Sequence, residues 1–205
     1  MTRAIITTYY SESKYLPLWE RYYLPFFDEQ ERYIYPFEMK VEARDRAVEM
    51  SRRVNILLKR HNTVVIADLD EYIVPDPSKY KDLGDYMDRF SEAGARVVGY
   101  NIIEMPGAAP LDLGLRITSQ RIYWHRDKLY DKPMVTTVPV ELRPGRHSCA
   151  PEFPQDEDLY MFHLRDSDLH YLVIEAGLYR DKSFIDRIME RQRLAEEIPL
   201  KWRVI

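Results

Sequence analysis

The segment Thr63-Val-Val-Ile-Ala-Asp-Leu-Asp-Glu-Tyr-Ile-Val-Pro75 places the carboxylates Asp68, Asp70 and Glu71 within four residues. Carboxylates this close repel one another and resist leaving water. A hard divalent cation removes both difficulties, because such ions take oxygen ligands. An isolated Asp-x-Asp is more often a solvated acidic turn than a site. Here the motif follows Val64 to Ala67, a β-branched run of the kind that forms a strand buried on both faces, and the apolar pair Ile73 and Val74 stands behind it. In open parallel sheets, ligands bind beyond the carboxyl ends of the strands. Position and chemistry therefore agree on a metal-assisted site.

The elements that must position this motif follow from periodicity. Ala4 to Tyr10 predicts a first strand, and Leu16 to Phe27 an amphipathic helix with Leu16, Trp19, Tyr22, Tyr23 and Phe26 in phase. Glu31 to Lys40 reads as a second strand, held to an edge by Pro36. Arg44 to His61 is a helix with Ala47, Met50, Val54, Leu57 and Leu58 on one face. Tyr80 to Ala93 is another, stopped by Gly94, and Ala95 to Met105 is a strand. This alternation predicts an α/β fold with a doubly wound, mostly parallel sheet and helices on both faces. Beyond Pro106, strands are expected at Ile117 to Tyr123, Met134 to Leu142 and Leu159 to His163. A short helix is expected near Leu169 to Glu175 and a last one at Phe184 to Glu197.

With 205 residues, 45% of them apolar, the chain suffices for one domain with a full core. A net charge of -4 without long basic runs argues against a general nucleic-acid binder. The single cysteine, Cys149, forms no internal disulfide and fits a reducing compartment, so a cytoplasmic location is expected. Met1-Thr-Arg leads straight into a strand-like run, which is unlike a signal peptide. No apolar run is long enough to span a bilayer, although peripheral membrane association stays open. The 16 tyrosines could stack on sugar or base rings, but they also fill wet-edged cores and decide little.

Three stretches together resemble the GT-A glycosyltransferases of the family 2 type, nearest to the small subgroup related to family 92. Ile5-Ile-Thr-Thr-Tyr-Tyr-Ser-Glu-Ser-Lys-Tyr-Leu-Pro-Leu-Trp-Glu-Arg-Tyr-Tyr23 is similar to that group's opening strand, Asn-Glu pair and Leu-x-x-Trp helix. Asp68-Leu-Asp-Glu-Tyr72 is similar to its Asp-x-Asp-Glu-Phe metal motif. Asp131-Lys-Pro-Met-Val-Thr136, followed by Gly145-Arg-His147, resembles its lysine-apolar segment and downstream histidine. Two positions depart from the pattern: Ser11 stands where the family has Asn, and the second strand lacks its nucleotide-holding Asp, with Glu38 the nearest acid.

The resemblance implies a GT-A, Rossmann-like domain over residues 1–205, with 1–105 as the nucleotide-binding half and 106–205 as the acceptor side. It implies sugar transfer from a nucleotide-diphosphate donor, a UDP-sugar favoured, to a glycan or other hydroxyl acceptor, assisted by Mn2+ or Mg2+. It further implies Asp70 as direct metal ligand, Asp68 at the ribose or at the metal through water, Thr7 and Glu12 near the base, and His147 or His163 as a late ligand or a diphosphate contact. Such chemistry needs the departing diphosphate neutralised, a base for the acceptor proton, and water excluded. Lys132 and Arg146 are candidate diphosphate contacts. Glu104, Asp166 and Asp168 are candidate bases. A haloacid dehalogenase-like phosphatase is the competing enzyme reading, since its nucleophile also ends a strand in Asp-x-Asp. A GT-A-like binding module without catalysis is the third.

Overall fold

The computed structural model describes residues 1–9, 14–34, 42–168, 182–203 and 205. The chain begins with β1 (Arg3–Tyr9), α1 (Leu16–Tyr23), β2 (Glu29–Ile34) and α2 (Ala43–Leu57). There follow β3 (Thr63–Ile66), β4 (Glu71–Pro75), α3 (Leu83–Arg89) and β5 (Gly94–Ile103). The later part adds α4 (Ile117–Gln120), β6 (Tyr123–Arg126), β7 (Pro133–Thr136), β8 (Glu141–Leu142), β9 (Cys149–Ala150), β10 (Gln155–His163), α5 (Lys182–Leu194) and β11 (Glu196–Glu197).

The α/β class is as expected, but the sheet is mixed rather than mostly parallel. β1 runs parallel to β2 and β3, and β10 runs parallel to β5. β7 lies antiparallel between β3 and β5, while β6 and β4 lie antiparallel to β5 and β10 respectively. The alternation of the first hundred residues describes only local order. It does not show that the fully buried run Pro133–Thr136 inserts between two strands of the first half. The later segment therefore shares one sheet with the earlier one.

Side-chain alternation along the central strands divides the core. Ile5, Val65 and Ala67 face a cluster with Trp19 and Tyr23 of α1 and Leu83 and Met87 of α3. Ala4, Ile6, Val64 and Ile66 face the opposite cluster, with Ala47, Met50, Val54 and Leu57 of α2. The two periods, 2 in the strands and 3.6 in the helices, thus meet on both faces of the sheet. Asp82 caps α3 by accepting from the Asp85 amide at 2.9 Å.

Several expected elements are shifted. Ile117 to Tyr123 opens as the short helix α4, and the strand starts only at Tyr123. β-branched propensity is overridden there because the Thr118 amide and hydroxyl both donate to the Ile205 carbonyl, each at 2.9 Å. The run Met134 to Leu142 divides into β7 and β8, with Pro139 between them. The last helix ends at Leu194, and Glu196–Glu197 pairs with β6 instead. The expected helix near Leu169 and the far end of the second strand with Glu38 fall outside the described residues.

Two close approaches of backbone fix the surroundings of the acidic motif. β8 and β9 form a small antiparallel hairpin held on α2, with the Leu142 amide donating to Ser51 Oγ at 2.8 Å. Gly99, in mid-β5, lies against Tyr130: a Cβ built there would sit 2.6 Å from the Tyr130 carbonyl carbon and 2.7 Å from its oxygen. Backbone cannot yield as a side-chain tip can. Gly99→Ala is therefore expected to destabilise the fold by about 1–3 kcal/mol, the usual cost of overpacking, read as a lowered urea midpoint.

Candidate metal centre

The acidic motif is not the end of one strand but the link between two. β3 stops at Ile66 and β4 resumes at Glu71, so Asp68 and Asp70 occupy the turn between them. Three backbone bonds pin that turn. The Ala67 amide donates to Ile6 at 3.1 Å, the Glu71 amide to Asp68 at 3.1 Å, and the Leu164 amide to Asp70 at 2.7 Å. The last of these ties the turn to the end of β10, where His163 stands opposite Glu71 in the antiparallel register. Potential ligand atoms of Asp70, Glu71 and His163 consequently lie within 4.8 Å of one another.

Those three side chains are not equivalent. Glu71 is 1% exposed. Its Oε2 accepts from the Asp68 amide at 3.0 Å and its Oε1 from the Lys132 ammonium, so both oxygens serve the protein. Asp70 retains 29% exposure of its side chain, and its Oδ2 lies 3.2 Å from His163 Nε2. His163 is 5% exposed and its Nδ1 sits 2.8 Å from Asn101 Oδ1. The Tyr130 ring packs over the imidazole with centroids 4.3 Å apart. Asp70 and His163 are thus the pair with donor atoms to offer, and Glu71 braces the turn beneath them.

Two cations complete the corner. Lys132, 6% exposed, bonds Glu71 and stands 3.8 Å from Asp68 Oδ2. Arg146 donates to Asp68. It reaches there from the β8–β9 turn, where Gly145 (φ 75°) and Arg146 (φ 59°) both adopt the left-handed region. A non-glycine residue held there costs about 1–2 kcal/mol, which the ion pair with Asp68 offsets. With His163 neutral, three carboxylates face two cations, and a bound dication would reverse the sign of the corner.

Burial pushes the Asp70 carboxyl up, but the neighbouring His163 outweighs it and holds Asp70 below its ordinary 3.8. Burial likewise pushes Glu71 up, and Lys132 and then Arg146 bring it below its ordinary 4.5. Burial disfavours the Arg146 charge, yet Asp68 and Glu71 raise it above its ordinary value. Carboxyls depressed in the folded state stabilise above their unfolded values and lose that contribution as pH falls through the folded ones. Melting temperature is therefore expected to hold from neutral pH to about 4.5 and to fall below it. The fall should be shallower in Asp70→Asn, measured by calorimetry across pH.

The donor set fits a small divalent cation. One carboxylate oxygen and one imidazole nitrogen leave most of a six-fold shell to water or phosphate oxygens, and a nitrogen ligand favours Mn2+ over Mg2+.

The other sequence candidates take no part in the Asp70–Glu71–His163 cluster. Thr7 is fully buried one residue beyond the last β1–β3 pair, with no hydrogen-bond partner for its hydroxyl among the described residues. Glu12 lies outside the described residues. His147 is exposed on the β8–β9 turn and takes no part in the cluster, so of the two candidate histidines only His163 joins Asp70. Lys132, expected at a diphosphate, spends its ammonium on Glu71. Each candidate base is bridged to a cation: Glu104 to Arg121 at 2.9 Å, Asp166 to Arg191 at 2.6 Å, and Asp168 to Lys14.

Sequence reasoning missed Asn101 and Tyr130. The signal for Asn101 was present: it is a lone amide inside the apolar run Val97 to Ile103, and a fully buried polar group needs a partner. The fold and this corner define an α/β protein with a candidate metal centre at the junction of β3, β4 and β10. No family model matches the chain, and no curated protein matches it.

Proposed function

We propose that the chain is a metal-dependent glycosyltransferase of GT-A type, moving a sugar from a nucleotide-diphosphate donor to an acceptor hydroxyl. The observation that carries this reading is the pairing of Asp70 with His163 beside Asp68, at the carboxyl end of β3. Asp70 and His163 would hold Mn2+ or Mg2+, which as a Lewis acid supplies charge neutralisation at the leaving diphosphate. Arg146, 17% exposed at its side chain, is the cation best placed to swing from Asp68 to a phosphate oxygen. Lys132 keeps the acidic turn folded through Glu71. The Thr7 hydroxyl, without a partner among the described residues and on the strand beside the turn, is suited to a polar group of the donor. A UDP-sugar remains the favoured donor and a glycan the acceptor, by resemblance.

One observation favours a second reading, a binding module without catalysis. Glu104, Asp166 and Asp168 are all engaged by cations, which leaves the acceptor's base unassigned. Among the described residues no helix is long and apolar enough to cross a membrane.

The test is thermal stability with UDP, Mn2+, and both. A ligand that binds only the native state at 100 times its Kd stabilises by about 2.7 kcal/mol. A rise with UDP and Mn2+ together that exceeds the sum of the separate rises is expected. Release of UDP from UDP-sugars then separates an enzyme from a module, and turnover of phosphomonoesters instead would favour the phosphatase.

A further inference from the structure

A chain of hydrogen bonds leads from α5 to the imidazole of His163 and determines which ring nitrogen is bare. Asp127 Oδ2 accepts from Arg191 of α5 at 2.7 Å and from Asn101 Nδ2 at 3.2 Å, and its Oδ1 accepts from the Leu129 amide at 3.0 Å. An ionised carboxylate can only accept, so the Asn101 edge facing it is the NH2 group. The Asn101 oxygen therefore faces His163, 2.8 Å from Nδ1. An amide oxygen can only accept as well, so Nδ1 carries the proton. In the neutral ring Nε2 is then a lone pair, 3.2 Å from Asp70 Oδ2. Two acceptors that close need either a second ring proton on Nε2, which the imidazolium has, or a metal ion, which is the partner left for the neutral ring.

We infer that Asn101, oriented by Asp127 and Arg191, is a positioning residue that holds His163 in the Nδ1–H tautomer and so presents Nε2 as a metal ligand. The inference rests on the metal reading of this corner, but the tautomer itself is a property of the metal-free protein. Asn101 is fully buried and His163 is 5% exposed, so water does not compete for these groups. The Tyr130 ring over the imidazole restrains its rotation. The dependence of the ligand on its outer partner is the usual one for histidine at metals, where loss of that partner weakens affinity by about 10–100-fold.

The test uses the full chain labelled with nitrogen-15 and long-range proton–nitrogen correlation, at alkaline pH without metal. The His163 signals are found among the five histidines by their absence in His163→Gln. The expected result is a protonated Nδ1 and an unprotonated Nε2. The reverse tautomer, or a ring doubly protonated throughout the alkaline range, would overturn the inference. Asn101→Leu, close in volume and unable to accept, is expected to yield mixed tautomers and an Mn2+ Kd raised about 10–100-fold by electron paramagnetic resonance. An unchanged tautomer there would remove Asn101 from the role. Should that variant not fold, Asp127→Asn, which no longer dictates the amide's orientation, is expected to shift the tautomer in the same direction; an unaltered spectrum overturns the chain. If the parent protein binds no Mn2+ while its Nδ1 is protonated, the metal reading fails and the tautomer assignment stands.

Discussion

Asp70→Ala is expected to abolish Mn2+ binding and metal-dependent donor binding while the protein stays folded. The side chain's polar contact is with His163, and it remains 29% exposed. Its backbone carbonyl, which accepts from Leu164, survives the substitution. Melting at neutral pH should therefore stay cooperative and fall only by the contribution of the Asp70–His163 pair. If Asp70 is a direct ligand as proposed, its loss removes several kcal/mol of charge stabilisation, and each 1.36 kcal/mol is tenfold, so the proposed metal-dependent turnover should fall about a thousandfold or more. Manganese titration by electron paramagnetic resonance, set beside the melting curve, checks both halves. Retained Mn2+ affinity with a native melt would take Asp70 out of the metal role and leave the acidic turn as a structural feature.

Lys132→Met should have the largest effect on stability. Lys132 and Glu71 are 6% and 1% exposed, and they meet in a direct ion pair. Removing one partner of a buried pair strands the other charge, at about 3–5 kcal/mol. The stranded group here is Glu71, which also receives the Asp68 amide and so shapes the turn. Urea unfolding is the measurement. The double variant Lys132→Met with Glu71→Gln should recover much of the loss, because no uncompensated charge remains while the amide oxygen can still accept. A single-variant cost below about 1 kcal/mol, the range of exposed pairs, would mean that water reaches Glu71.

Two corners of this protein contrast in what the chain reveals. The Val64–Ala67 run and its three acids mark both a buried strand and a candidate site, because burial period and charge crowding are properties of neighbours in sequence. The helices at Leu16, Arg44 and Leu83 were legible for the same reason, each carrying a 3.6-residue apolar stripe. By contrast, the roles within the site were not. Lys132 looks like a phosphate-binding cation until β7 brings it beneath the turn, where Glu71 captures it. His147 and His163 look alike until register sets His163 opposite Glu71 and leaves His147 on an exposed turn.

What the linear order determined is the inventory: an α/β chain, a core split between two helix-covered faces, and an acidic cluster after a buried strand. Local periodicity and like-charge repulsion act over a few residues, and the sequence displays them directly. What the tertiary structure decided is pairing. The antiparallel insertion of β7, the division of labour between Asp70 and Glu71, and the amide of Asn101 behind His163 all depend on residues tens of positions apart. Such contacts follow from strand register and from which buried polar group finds which partner, and neither is written in the spacing of either residue alone.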